Sequence, residues 1–203
     1  MATYTISLNA GNNLISIPLD MTGVSYEDDP RTLFNSSLRN HDDSKYLYKF
    51  IKFQGQIIAN VDGMWSGNYT QIQPQHAFWI WTADSHEITF NGANLNPVTL
   101  EYTLNGGWNL LSYPYQIENH FGEGEYDNPT KPYTIRKDYL KGSGHEKETV
   151  KRVLGQGQMV TYLDNTDPNY QPTEVDAYKN WTGNLTKFEP GKGIGFIVLK
   201  VLQ

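Results

Sequence analysis

Few residues in this chain are spaced for chemistry. Glu123, Glu125 and Asp127 alternate, so on a strand their carboxylates would share a face. That is the arrangement of a glycosidase pair or a Ca²⁺ site. The neighbouring Gly122 and Gly124 argue instead for a solvated acidic loop. His41, Asp42 and Asp43 combine imidazole with carboxylate, ligands that can share a metal ion. Adjacent residues rarely point at one ion, so this trio too reads as surface. Asp164, Asn165, Asp167 and Asn169 form an acidic turn without the Gly and distal Glu of a calcium loop. His41, His76, His86, His120 and His145 stand singly in polar contexts and are expected to be exposed. No G-x-S-x-G elbow is present to hold a nucleophile. Gly155-Gln156-Gly157 is a fragment of a dinucleotide fingerprint without its third Gly, and it reads as a hairpin turn. Gly191-Lys192 lacks the upstream Gly of a phosphate loop, since position 186 is Thr, and it reads as a turn. No catalytic residue, cofactor site or metal site is assigned, and the chain is expected not to be an enzyme.

The elements that carry these residues follow from composition. In 203 residues there are 27 aromatics, 18 Asn and 17 Thr against 7 Ala. Tyr, Trp and Thr favour strands, Asn and Gly favour turns, and Ala is the best helix former. An all-β protein with a minor helix is expected. The net charge of −6 disfavours nucleic acid as a partner. The absence of Cys excludes disulfides and Cys-type zinc sites. The N-terminal MATYTISLNAGNNLISIPLD has no basic n-region and alternates in polarity, which is neither a signal peptide nor a membrane span.

One pattern occurs twice. LNAGNNLISIP at 8–18 returns as LNGGWNLLSYP at 104–114, an offset of 96 that equates Gly11 with Gly107 and Pro18 with Pro114. WSGNYTQIQPQHAFWI at 65–80 returns as WTGNLTKFEPGKGIGF at 181–196, an offset of 116 that equates Trp65 with Trp181 and Pro74 with Pro190. Two tandem units are expected, 1–98 and 99–203, with the same small sandwich-like or barrel-like topology. The second unit carries about twenty extra residues, which the sequence places within 117–150.

Within each unit a tight turn at Asn9-Ala10-Gly11 or Asn105-Gly106-Gly107 should precede a strand that ends at the proline. Phe78-Trp79-Ile80-Trp81 and Ile194 to Leu199 read as strands buried on both faces. Asp29 and Pro30 open a short helix expected over 30–39, with Leu33, Phe34 and Leu38 inward. Lys45 to Asn60 reads as a strand pair turning at Gln54-Gly55-Gln56, matched by 150–161 in the second unit. Trp65, Trp79, Trp108 and Trp181 are expected to pack in the core. Tyr126, Tyr133 and Tyr139 lie in the insertion, outside the repeated frame, and are the candidate contact residues.

Gly107-Trp108-Asn109-Leu110-Leu111-Ser112-Tyr113-Pro114 resembles the "GWNLISLP" signature of a tandem β-repeat family. Pro190-Gly191-Lys192-Gly193-Ile194-Gly195-Phe196 resembles that family's closing "PGKGYWI". The first unit departs at Asn12, where a Trp is expected, and at Gln75-His76-Ala77, where Gly-Lys-Gly is expected. The second departs at Gly195, where an aromatic is expected. The family occurs in bacterial surface and secreted proteins and in virion proteins of tailed phages, and it carries no catalytic residues.

The resemblance, with no export signal visible, implies a structural virion protein assembled in the host cytoplasm: a capsid decoration, neck, baseplate or fibre component. Its partners would be other virion subunits, in a homo-oligomer or many copies. The alternative is a carbohydrate-binding module or adhesin at a cell surface, with a host glycan as partner. The second unit stops before a counterpart of the strand at 86–90, so an open edge is expected near 194–203, forming a subunit contact with 117–150.

Overall fold

The computed structural model of the chain describes residues 2–21, 29–95, 102, 106–116, 119–120, 150–155, 157–162, 181–185 and 187–198. It is all-β with one turn of helix. The first half builds a five-stranded antiparallel sheet from β2 (Gly11–Ser16), β7 (Ala77–Thr82), β4 (Tyr48–Phe53), β5 (Gln56–Val61) and β6 (Met64–Gly67), in that order. A three-stranded sheet, β1 (Ala2–Leu8), β8 (His86–Asn94) and β3 (Leu19–Asp20), lies against it. Alternation does the work expected of it. Ile15, Ile51, Ile58, Phe78 and Ile80 leave one sheet on its inner face, and Ile6, Leu8, Leu19 and Phe90 meet them from the other. Phe34 fills the space between, edge-on to Tyr48, Phe78 and Phe90 at 5.4, 6.1 and 6.0 Å.

The second half builds another five-stranded sheet from β9 (Gly107–Leu111), β15 (Ile194–Val198), β11 (Val150–Gly155), β12 (Gln158–Tyr162) and β13 (Trp181–Gly183). Its order matches that of the first sheet strand for strand. A register shift between Tyr48 and Phe50 is matched by one between Val150 and Arg152. Its buried cluster is Tyr113, Val153, Val160, Leu185, Phe188 and Ile194, positions that the offsets of 96, 102 and 116 align with Ile17, Ile51, Ile58, Tyr69, Ile72 and Phe78 of the first core. Asn119–His120 (β10) pairs with Lys187–Phe188 (β14) beside it.

Four expectations are corrected. The helix spans only Pro30–Leu33, capped by the Asp29 side chain at the Arg31 N–H, and Leu38 is 45% exposed instead of inward. The chain beyond Leu33 leaves helical geometry to seat Phe34 in the core. The extra residues do not all lie within 117–150: the hairpins 53–56 and 155–158 align at an offset of 102. The offset thus rises from 96 to 102 before that hairpin and from 102 to 116 after it. Six extra residues precede Val150 and fourteen lie between Tyr162 and Trp181. Next, residues 194–198 form no open edge, because β15 is paired on one side with β11 and on the other with β9. The strand at 86–94 belongs to the three-stranded sheet, so a second-unit counterpart of it would not extend the five-stranded one. Lastly, Trp79 and Trp81 are only half-buried, since the face of β7 opposite Phe78 and Ile80 looks outward.

Candidate functional site

The repeated signatures build a joint between the halves. Ile15 bridges to Lys192, the Ser16 N–H donates to the Gly191 carbonyl at 3.1 Å, and the Gly193 N–H donates to Leu14 at 3.1 Å. With the halves exchanged, Leu111 bridges to His76 and the Ser112 N–H donates to the Gln75 carbonyl at 2.9 Å. The Ser16 hydroxyl, fully buried, donates to the Lys192 carbonyl at 3.0 Å and accepts the Tyr113 N–H at 3.1 Å. The fit is close: a Cβ on Gly193 would lie 2.7 Å from that of Ala77. Pro74 and Pro190 open the turns that reach across, closed by His76 N–H to Gln73 at 2.9 Å and Lys192 N–H to Glu189 at 3.2 Å. Pro18 and Pro114 follow strand ends, as expected. Gly11 and Gly107 turn the chain into β2 and β9 with φ of +97° and +94°.

Where the two sheets meet at this joint, their outer faces enclose a groove of about 550 Å³. Leu14 and Leu110 line it, with Trp79 and Lys52 from the first half and Trp108, Leu154 and Met159 from the second. Cross-strand register sets the first wall: Leu14 stands opposite Trp79, and Trp79 opposite Lys52. The two halves supply their tryptophans from different strands. The position equivalent to Trp79 is Gly195, and that equivalent to Trp108 is Asn12. A Cβ on Gly195 would lie 3.8 Å from the Trp108 ring, so the missing side chain opens space under that indole. Trp108 is 57% exposed and Met159 40% exposed, which corrects the expected burial of Trp108. No single-residue pattern could have announced this site, because it exists only where the two sheets abut.

The groove carries charge of one sign. Among the described residues, Lys52 is the only charged one lining it. The ten strands of the two five-stranded sheets contain Lys49, Lys52, Lys151 and Arg152 and no Asp or Glu, in a chain of net charge −6. A second, more polar hollow of about 390 Å³ is lined by Lys187, Glu189 and Lys192, with Lys187 and Glu189 ion-paired at 2.9 Å.

The titratable candidates are engaged elsewhere. His41 is exposed, as expected, and its Nδ1 lies 2.8 Å from Asp84, which raises the imidazole pKa. Asp42 turns instead to Asn40 and to Ser44, whose hydroxyl and N–H hold its carboxyl near 2. Asp43 occupies a left-handed turn, so the His41-Asp42-Asp43 trio does not converge on an ion. Among the described residues no group of three metal-ligating side chains is present. His76 and His86 correct the expectation of exposure. His76 stacks on Phe53 at 3.8 Å between centroids, and its burial lowers its pKa to about 4. His86 bonds the Tyr48 hydroxyl at 2.9 Å, and burial raises that phenol to about 12. Gly155 and Gly157, and Gly191-Lys192, lie at turns, as their sequence suggests.

Trp65 packs on the first core and donates its indole N–H to the Phe34 carbonyl. Trp181 heads β13 at the equivalent position. Glu123, Glu125, Asp127, Tyr126, Tyr133, Tyr139, His145 and the 164–169 turn lie outside the described residues. No helix among the described residues is long and apolar enough to cross a membrane. No protein-family model, curated protein or solved structure matches this chain.

Proposed function

We propose that this chain is a non-enzymatic structural protein that works through protein–protein contacts in a virion of a tailed phage, as a decoration, neck, baseplate or fibre component. Two pseudo-symmetric repeats, 1–98 and 99–203, form its body. The reciprocal hydrogen bonds of the joint, and the equal strand orders of the two sheets, support the repeat reading. The observation that carries the assembly reading is the sheet edge at β6. This strand ends its sheet among the described residues and presents Met64 at 70% exposure, with Val61 of β5 opposite it at 53%. An unpaired strand edge with apolar side chains is a template for another chain's strand. The insertion with Tyr126, Tyr133 and Tyr139 is the other proposed contact, and multiple copies are the expected state.

Mass spectrometry of purified particles tests this directly: the protein should be present at a fixed copy number, and its absence sinks the proposal. Met64→Lys and the triple change Tyr126→Ala, Tyr133→Ala and Tyr139→Ala should each yield folded protein that no longer joins the particle. Incorporation of both at wild-type copy number would show that neither surface is the interface.

A second reading, a carbohydrate-binding module, is favoured by one feature, the groove with its exposed Trp108 and half-buried Trp79. Its setting would be an extracellular or cell-surface one.

A further inference from the structure

We propose that the groove between the two sheets binds an acidic glycan, with a sugar ring against Trp79 and Trp108 and a carboxylate on Lys52. The inference rests on the carbohydrate-binding reading of this groove and names its ligand class. Three observations converge on it. Its volume, about 550 Å³, falls in the roughly 300–1,000 Å³ range of small-ligand sites. Trp108 is 57% exposed and Trp79 half-buried on the groove wall, so both indoles are open to contact. Indole faces suit the flat C–H face of a sugar ring, and the polar edge of the ligand meets Lys52, Gln54 and Gln158 at the rim.

Charge selects the class. Among the described residues, Lys52 has no ion-pair partner and no acidic residue lines the groove. The chain as a whole is acidic, so a groove lined by a lysine and by no described acid is a surface that an anion can approach. Nucleic acid needs several cations per site, and Lys52 is the one cation that lines the groove among the described residues. Both halves supply walls, so the site depends on the joint held by Ser16 and Gly193.

The test is titration of the full chain with a hexauronic acid oligosaccharide, followed by tryptophan fluorescence and calorimetry. A neutral hexasaccharide and an oligothymidylate are run beside it. The hexauronate should bind saturably and more tightly than either. Trp79→Ala and Trp108→Ala should each weaken it by about ten-fold. Lys52→Gln should weaken it and flatten its salt dependence. Gly195→Trp, which places an indole where the first half has Trp79, should fill the groove and abolish binding. Should Gly195→Trp fold poorly, Trp108→Ala carries the test, because an exposed ring can be cut without cost to the core. No hexauronate binding, or binding indifferent to Trp108→Ala, overturns the proposal. Trp108-dependent binding of the neutral sugar alone overturns the acidic class while leaving the glycan reading standing. Preference for oligothymidylate, or self-association that Trp108→Ala abolishes, overturns both.

Discussion

His76 gives the sharpest prediction, because its burial, its bonds and its charge are all on one ring. Its Nδ1 accepts the Gln73 N–H at 3.2 Å and lies 3.3 Å from the Tyr69 hydroxyl, and its face stacks on Phe53. A backbone N–H can only donate, so Nδ1 must be unprotonated, and adding a proton there breaks that bond. Burial lowers the pKa from 6.5 to about 4, with the Gln71 backbone pulling weakly the other way. Between those values the unfolded chain holds a proton that the folded one does not. Stability therefore rises with pH across this window, is fully present above 6.5 and is lost as pH falls towards 4. At about 1.4 kcal/mol per pH unit the whole shift would amount to roughly 3.4 kcal/mol. His76 is still partly open to solvent, so screening reduces this to about 1.5–2 kcal/mol. The assay is urea unfolding from pH 4 to 7 on wild type and His76→Gln, which subtracts the carboxylates that also titrate there. The wild type should lose about 1.5–2 kcal/mol more than the variant on going from pH 7 to 4. Parallel curves, or an imidazole that titrates above pH 6 by NMR, would refute the reasoning.

Other expectations follow from the same geometry. Gly67 and Gly183 hold φ of +141° and +142°, and a Cβ would lie 2.0 Å from the Ile57 carbonyl and 2.1 Å from that of Met159. Gly67→Ala and Gly183→Ala should each cost about 2–3 kcal/mol by denaturant unfolding, and a neutral result would disprove the turn geometry. Ser16→Ala removes the buried hydroxyl that bonds both halves at the joint and should cost about 1–3 kcal/mol in the same assay, against little change if the joint does not exist in solution. Trp65→Ala should cost about 3 kcal/mol through lost packing and the lost Phe34 bond, whereas Trp108→Ala should leave the melting temperature within about 2 °C of wild type. Equal losses from the two tryptophans would mean that the exposed and packed positions have been confused.

Much of the local structure was legible because it depends on single residues and their near neighbours. The turn glycines, the terminating prolines, the Asp29–Pro30 helix start and the Gln54-Gly55 hairpin each follow from backbone preferences that act within a few residues. The repeat itself was readable, because Asn13 and Asn68 recur for a local reason. The first bonds back to the Asn9 backbone at 2.9 and 2.8 Å, and the second accepts the Ile57 N–H at 2.9 Å. Helix length was not legible, because the core's demand for Phe34 overrides the pattern that would have carried the helix to residue 39. The fate of each tryptophan was equally hidden. Trp65 and Trp108 share a residue type and a place in a signature, yet one lies on a core and the other over an open groove. Sequence fixes which residues alternate along a strand; it does not fix which sheet face has a second layer against it. That choice falls to tertiary packing, because burial is a property of what arrives from elsewhere in the chain. The three-stranded sheet covers one face of the first half, the edge-to-edge joint shapes the groove on the other, and both are built from residues at least 35 positions apart.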